Sequence, residues 1–444
     1  MGRKRCAFVG IGHRVGSWID PAVTRYAGGV EVVGLCDPVV RRCEDVKEQY
    51  KLASAGCYGD YDRMLAETRP DMVVVCSPEG FHADQIVKAL RAGARVATEK
   101  PLCVTGADAR SILAAEREAG RPVYMGFNYR HVPLCLKVKE LLLGGVIGEV
   151  VSADLSWHLD YRGHGASYFR RWHAVMANSG GLLIHKGTHH VDALNWWLDD
   201  RPETVFACCG RNFFGPGRGP FKSVRCRGCP HAGECEFYYD ADPGRKAAEL
   251  GYQPGHVRDY DGDLCVWRDE VDIYDTHALT IRYARGAVVN YSLNASVPWE
   301  GWDLRINGAG GRIETGINDG KPAAGWQRYG VAMQLGRTGR PARVLNKDEF
   351  YMAGWPQNYT IQVFPHDKVA YQVEAPNIAS GHGGGDEKIT DGFYGEAAVE
   401  NPLGAFATAI DGAFSMAVGA AANESVRLRR AVEISEILGE WASA

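Results

Sequence analysis

No run of apolar residues in these 444 positions is long enough to form a helix across a bilayer, so no helical membrane anchor is expected. Charge of one sign is equally scarce. Fifty Lys and Arg stand against 54 Asp and Glu, so no overall field draws the chain to nucleic acid or to an anionic membrane, and neither is expected as a partner. A signal-peptide core is missing too: Met1-Gly-Arg-Lys-Arg-Cys6-Ala-Phe-Val passes from a basic cluster into an apolar run that ends at Gly10. The expected location is therefore a reducing cytoplasm, with the thirteen cysteines kept as thiols. Several of them, Cys36, Cys76 and Cys103, sit in or beside apolar runs, where a thiol acts as a small hydrophobe.

What is present is an ordinary globular composition, 45% hydrophobic and 23% charged, in a chain too long for one core. Up to about Phe127, short apolar runs (Cys6 to Gly10, Val30 to Cys36, Met72 to Cys76, Ala94 to Ala97, Val123 to Gly126) alternate with helix-length segments such as Tyr61 to Thr68, Phe81 to Ala92 and Ala107 to Ala119. That rhythm predicts a parallel sheet wound with helices on both faces. Gly93 and Gly120 fall where helices should stop.

After Asn128 come one helix, Val132 to Leu143, and alternating strands at Val150 to Trp157, Thr204 to Cys209, His277 to Tyr283 and Val288 to Asn294. These predict a helix-backed antiparallel or mixed sheet. Residues 214–267 and 317–386 show no period, and two helices, Ala405 to Ala422 and Ser425 to Trp441, end the chain.

The first apolar run is followed by Gly10-Ile-Gly12-His13-Arg14-Val15-Gly16. Glycines there allow a tight turn and close backbone approach to a pyrophosphate, which a helix N-terminus then stabilises. Val15 takes the usual third glycine position, with Gly16 one step later. The second run ends in Asp37, 25 residues beyond Gly12, where an acid accepts hydrogen bonds from a ribose 2′-hydroxyl and repels a 2′-phosphate; this favours NAD.

Ser77-Pro78 with His82, then Glu99-Lys100-Pro101, then Gly180-Gly181-Leu-Leu-Ile-His185-Lys186-Gly187-Thr-His189-His190-Val-Asp192 complete a set of motifs. With the glycine loop, their order and spacing resemble the glucose-fructose oxidoreductase and inositol dehydrogenase family (Gfo/Idh/MocA) over nearly the whole chain. The resemblance implies a Rossmann domain, 1–127, and a substrate-binding α/β domain, 128–444. The second domain would be built on an open mixed or antiparallel sheet with a Cys-rich insertion at about 214–267, and the C-terminal helices would be candidates for packing back on the Rossmann domain. It further implies an active site in the cleft between the domains, a carbohydrate substrate and a homo-oligomer, dimer or tetramer.

Hydride removal from a secondary alcohol needs a group that takes the hydroxyl proton, and Lys100, at the end of a parallel strand, is placed for that. The family also uses this lysine in catalysis or substrate binding. His189 is the second candidate and His185, where the family commonly has aspartate, the third; Lys186 and Asp192 are candidate substrate contacts. So are Tyr129 and Arg130, after the last Rossmann strand, and Tyr168, Arg170, Arg171, Trp172 and His173, because aromatic faces and forked donors bind sugars. Cofactor contacts are expected from Gly10, Gly12, His13, Arg14, Val15, Asp37, Ser77, Pro78, His82, Glu99, Lys100 and Asn128.

The expected reaction is NAD-dependent hydride transfer at a secondary hydroxyl, carbon 3 by family analogy, of a sugar, glycoside or cyclitol. The alternatives are a redox-neutral glycosidase that oxidises carbon 3 transiently, with an anionic or sulfonated sugar among its candidate substrates, and a noncatalytic nucleotide-binding sensor. Gly383-Gly-Gly-Asp386 and the Tyr161 to His173 segment look like a glycoside-acting subgroup of the family.

Cys226-Arg-Gly-Cys229-Pro-His-Ala-Gly-Glu-Cys235, with Cys265 further along, could close a structural tetrahedral zinc site. His231 could replace one sulfur. Free thiols and an iron-sulfur cluster are the other readings.

Overall fold

The computed structural model describes residues 2–239, 262–319, 358–378, 381–395 and 400–443; 240–261 of the Cys-rich insertion and 320–357 of the second aperiodic region lie outside the described residues. The chain forms two compact units that are not consecutive stretches: Met1–Leu143 with Leu183–Val205 and Ser380–Ala444, and Gly144–Leu182 with Phe206–Ala379.

The first unit is wound on six parallel strands, β1 (Lys4–Val9), β2 (Val30–Cys36), β3 (Gly56–Tyr58), β4 (Met72–Val75), β5 (Arg95–Thr98) and β6 (Val123–Met125), in the order β6-β5-β4-β1-β2-β3. Ala407–Thr408 adds an antiparallel edge to β6. Sequential strand order reverses beside β1, and this is where a doubly wound sheet opens a crevice for ligands. All four residues of β4 are buried, the mark of a strand covered on both faces.

The helices are α1 (Gly16–Val23), α2 (Val40–Gln49), α3 (Tyr61–Thr68), α4 (His82–Arg91), α5 (Gly106–Ala119) and α6 (Pro133–Leu143). Asp60 caps α3 by accepting from the Arg63 amide (2.7 Å), and Thr105 caps α5 by accepting from the Asp108 amide (3.1 Å). Four later helices complete the unit: α7 (Gly187–Leu198), α8 (Gly385–Tyr394), α9 (Ala409–Leu428) and α10 (Ile434–Leu438). α9 packs on α5 and α7, and Gly419 permits the close approach, since a Cβ there would meet Ile184 Cγ1 at 2.8 Å.

The sequence pattern suggests one helix from Ser425 to Trp441. The chain instead leaves α9 at Arg429, in a left-handed conformation, and pairs Val432–Glu433 with Thr204 and Val205 before α10 begins. Backbone pairing outweighs the helical period there.

The second unit contains a mixed sheet. Its strands are β7 (Val150–Asp160), β8 (Pro202–Gly210, which begins in the first unit), β9 (Thr276–Tyr283), β10 (Val288–Val297), β11 (Glu300–Gly308), β12 (Gly311–Asp319), β13 (Asn358–Pro365) and β14 (Tyr371–Pro376). The order is β14-β13-β12-β11-β7-β10-β9-β8, with β7 and β10 parallel, while β7 with β11 and β9 with β10 are antiparallel. Burial alternates along β9 and β10, so one face carries the core (Leu279, Ile281, Val289, Tyr291) and the other is open. β13 and β14, with the end of β12, arise in the 317–386 stretch, whose sequence shows no period.

Candidate active site

The turn after β1 is shaped by a glycine that has no substitute. Gly10 has φ +83°, and a Cβ on it would lie 2.2 Å from the Ser77 amide nitrogen. Gly12, by contrast, faces open space, with no atom within 4 Å of a Cβ placed there. A turn pressed against the next loop at one glycine and open at the other fits a bound pyrophosphate. His13–Val15 form a single 3-10 turn leading into α1; His13 is exposed and Val15 buried. Asp37, buried at the end of β2, accepts from the Ile11 amide at 3.0 Å and the Val39 amide at 2.9 Å, with Arg42 Nη1 at 3.4 Å.

Several expected cofactor residues hold one another. Arg14 donates to Glu99 Oε1 (2.8 Å) and to Asp386 Oδ1 (3.0 Å). Trp18 Nε1 donates to the same Glu99 oxygen (2.9 Å), and Asn128 Nδ2 donates to Asp386 Oδ1 (2.7 Å). Burial works against the Asp386 charge, but His382 and Arg14 together hold its carboxyl well below the usual range. The Asn128 side-chain oxygen is buried and has no hydrogen-bond partner among the described residues. Gly385 makes this junction possible, because a Cβ there would strike the Asn128 carbonyl oxygen at 2.2 Å. Ser77 Oγ donates to Gln85 (2.6 Å), and Pro78 is exposed. His82 is buried, its ring nitrogens 2.8 Å from Ser77 O and 2.9 Å from Pro101 O, so it ties the loop after β4 to the loop after β5.

Lys100 Nζ, on the loop after β5, donates to the His185 carbonyl at 2.9 Å. Burial, joined by the nearby Lys186 charge and opposed by Glu79 and Glu99, brings the Lys100 ammonium down to about 8. Lys186 donates to the Tyr129 hydroxyl at 2.8 Å, and the Tyr129 ring stacks on His189 with centroids 4.4 Å apart. Burial, with the charges of Lys100 and Lys186, pushes His189 well below the usual imidazole range, so it is neutral. Its Nδ1 is buried and has no hydrogen-bond partner among the described residues. His185 Nδ1 lies 2.5 Å from Glu79 Oε1.

Arg130 and Asp192, expected at the substrate, form a bidentate pair (2.9 and 2.6 Å), and Arg130 also donates to Asp411 (2.9 Å). Asp411 simultaneously caps α9 through Thr408. Asp192 is 1% exposed; burial drives its carboxyl upward against the pull of Arg130.

Tyr168, Arg170, Arg171, Trp172 and His173 belong to the second unit. The Tyr168 hydroxyl lies 2.7 Å from His164 Nε2, and His173 Nδ1 lies 3.0 Å from Tyr168 O. The carbonyls of Arg171 and Trp172 accept from Arg268 (3.3 Å) and Asn178 (2.9 Å). Arg170 is buried, and its guanidinium is directed to Cys226 Sγ (3.5 Å) and the Phe237 carbonyl. Cys226, Cys229, Cys235 and Cys265 line one cavity, although no three His, Cys, Asp or Glu among the described residues stand at metal-holding spacing.

Glu79, His382 and Asp411 are neighbours of the candidate residues that the sequence motifs do not single out. Glu79 directly follows Ser77-Pro78, and that position was its one available signal. His382 opens the flexible-looking glycine run, and its ring centroid lies 6.0 Å from that of Tyr129.

A Rossmann sheet with a tight glycine turn, a buried acid at the end of β2 and a lysine at a strand end fits a nicotinamide-nucleotide-binding oxidoreductase class. The comparisons make the class specific. Residues 4–127 match the model of the oxidoreductase family's NAD-binding Rossmann fold (GFO_IDH_MocA), and 139–434 match its C-terminal alpha/beta domain. The chain belongs to the Gfo/Idh/MocA oxidoreductase family. It is 33% identical over 454 residues to YteT of Bacillus subtilis (strain 168), which bears the oxidoreductase name without a stated substrate; the match covers 98% of each chain. It is 29% identical over 196 residues to the D-glucoside 3-dehydrogenase of Escherichia coli (strain K12), covering 44% of this chain and 54% of that one. An oxidoreductase from Agrobacterium radiobacter, solved with NAD+, L-tartaric acid and magnesium, shares the fold with a TM-score of 0.62 at 16% identity, covering 98% of this chain and 99% of the other. No described helix is long and apolar enough to cross a membrane.

Proposed function

We propose that this NAD-binding oxidoreductase removes hydride from a secondary ring hydroxyl, at carbon 3, of a sugar, glycoside or cyclitol. The observation that carries the reading is the grouping of Lys100, Lys186, Tyr129 and a neutral His189 in the NAD-binding unit. NAD, when bound, supplies the hydride acceptor. A lysine whose ammonium titrates near 8 takes the hydroxyl proton, and Lys186 with the Tyr129 hydroxyl orients the ring. Gly10, Gly12, His13, Arg14, Val15 and Asp37 are the proposed cofactor cradle, joined by the Ser77 to His82 loop, Glu99 and Asn128. Carbon 3 is supported by the name of the glucoside dehydrogenase relative. The surplus of cationic groups over Glu79 suits an anionic substituent.

The open face of the second unit's sheet supports a homo-oligomer. Thirteen unpaired thiols support a reducing, cytoplasmic setting. A structural zinc at Cys226, Cys229, Cys235 and Cys265 is proposed as well, supported by their common cavity.

The test is a panel of neutral and anionic glycosides and cyclitols, assayed with NAD while nicotinamide absorbance and aglycone are both followed. NADH accumulating with substrate supports net oxidation. Aglycone release without net NADH, with solvent deuterium entering carbon 2, replaces it by the redox-neutral glycosidase. Inactivity across the panel despite bound NAD overturns the enzyme reading in favour of a sensor.

A further inference from the structure

Arg170 is 6% exposed, and no carboxylate pairs with it among the described residues. Its donors go instead to the Cys226 sulfur at 3.5 Å and the Phe237 carbonyl, and its guanidinium lies 5.4 Å from the centroid of the Tyr239 ring. A guanidinium does not lose its proton in a protein, so a buried one without an anion is costly. The group at hand that can become an anion is the thiol it touches.

Around that thiol the backbone has already assembled two matching turns. Cys229 donates its amide to Cys226 O (3.0 Å), and Arg268 donates its amide to Cys265 O (3.2 Å), so each turn opens on a cysteine. An antiparallel bridge between Arg225 and Leu264 sets the turns side by side, reinforced by the Cys226 amide on Asp263 O and the Cys265 amide on Val224 O. Cys235 lines the same cavity of about 20 Å³ as Cys226, Cys229 and Cys265, together with Phe237 and Trp267. None of the four is in a disulfide. That volume has room for at least one water-sized body.

We propose that Arg170 is the buried counter-charge of a single-ion zinc site formed by these four cysteines, an inference that rests on the zinc reading of the cluster. Loading releases four thiol protons to solvent and forms four zinc-sulfur bonds, with no change in oxidation state. Four thiolates and Zn²⁺ carry a net charge of minus two, which Arg170 halves. The thiols do not stand at ligand spacing among the described residues, and loading would have to draw them together.

The experiment uses the full-length protein and elemental analysis, followed by competition for Zn²⁺ against a chromophoric chelator. About one zinc per chain is expected in the wild type and none in Cys229→Ser. Arg170→Gln should weaken zinc binding roughly 10- to 100-fold, and Arg170→Lys, which keeps the charge, should recover part of the loss. Iron with sulfide, or no uptake of Zn²⁺ by the wild type, would sink the zinc reading and the role of Arg170 with it. Zinc bound equally by wild type and Arg170→Gln would sink the Arg170 role alone. Should Arg170→Gln fail to fold, Arg170→Lys decides: folded protein that takes up no zinc overturns the counter-charge argument. NAD binding, measured separately, tests the oxidoreductase reading independently.

Discussion

Arg130 and Lys100 are two cations sheltered in the same unit, and the unit treats them in opposite ways. Arg130 is closed off by Asp192 in a bidentate pair, by Asp411 and by the Gly404 carbonyl. Lys100 receives one carbonyl and the repulsion of Lys186, partly offset by Glu79 and Glu99. The difference separates charge used to hold the fold from charge left under-compensated, which the proposed function assigns to proton transfer. A paired buried cation fixes segments from three parts of the chain; an under-compensated one is held near its neutral form, where it can exchange a proton.

The sharpest way to break this contrast is to remove each cation in turn. Lys100→Met should lower turnover by about 10³-fold, in the range of general acid–base groups, while NAD affinity stays within a few-fold. Steady-state rates beside a binding titration check it, and unchanged turnover would take Lys100 out of the mechanism. Arg130→Met should leave Asp192 buried without its partner and cost about 3 to 5 kcal/mol of unfolding free energy, read from urea denaturation. A loss under about 1 kcal/mol would make the pair dispensable and erase the contrast.

A smaller effect sharpens it further. The folded Lys100 titrates near 8, below the ordinary 10.5, so between those values the unfolded chain binds more protons and this group's contribution to stability rises with pH. Below pH 8 the half-buried ammonium is a penalty. Lys100→Met should therefore stabilise the fold at pH 7, by about 1 to 3 kcal/mol, and the gain should vanish above pH 10.5. In the oxidative direction the wild-type rate should rise with pH through about 8, as the neutral amine forms. A profile flat across that range would detach the rate from this lysine. Least in size, Asp37→Ser should relax the preference for NAD over NADP by roughly tenfold, measured as the ratio of kcat/KM values.

Much of the first unit is legible in the chain. Parallel strands buried on both faces read as near-continuous apolar runs; Met72 to Val75 is recognisable by that alone, and Val30 to Cys36 is interrupted only at Glu31. β12 to β14 are not, because β12 is broken up by Gly316 and charged residues, while β13 and β14 bury only Ile361, Val363 and Ala375 and so carry little apolar pattern. Lys100 and the His185 to His189 segment could be singled out because their motifs are local. Their partners could not: Asp386 reaches Arg14 across 372 positions, and Asp411 reaches Arg130 across 281. Arg170, read as a sugar contact from its aromatic and basic neighbours, has its guanidinium beside a cysteine 56 positions away.

The order of residues by itself settled the Rossmann winding, the glycine turn, the acid at the end of β2 and the family, because hydrophobic period and short motifs act over a few neighbouring positions. Tertiary structure alone decided which charges are paired and which are left exposed to one another. Pairing depends on burial and on distances of a few ångströms between segments far apart in the chain, and no local pattern encodes either.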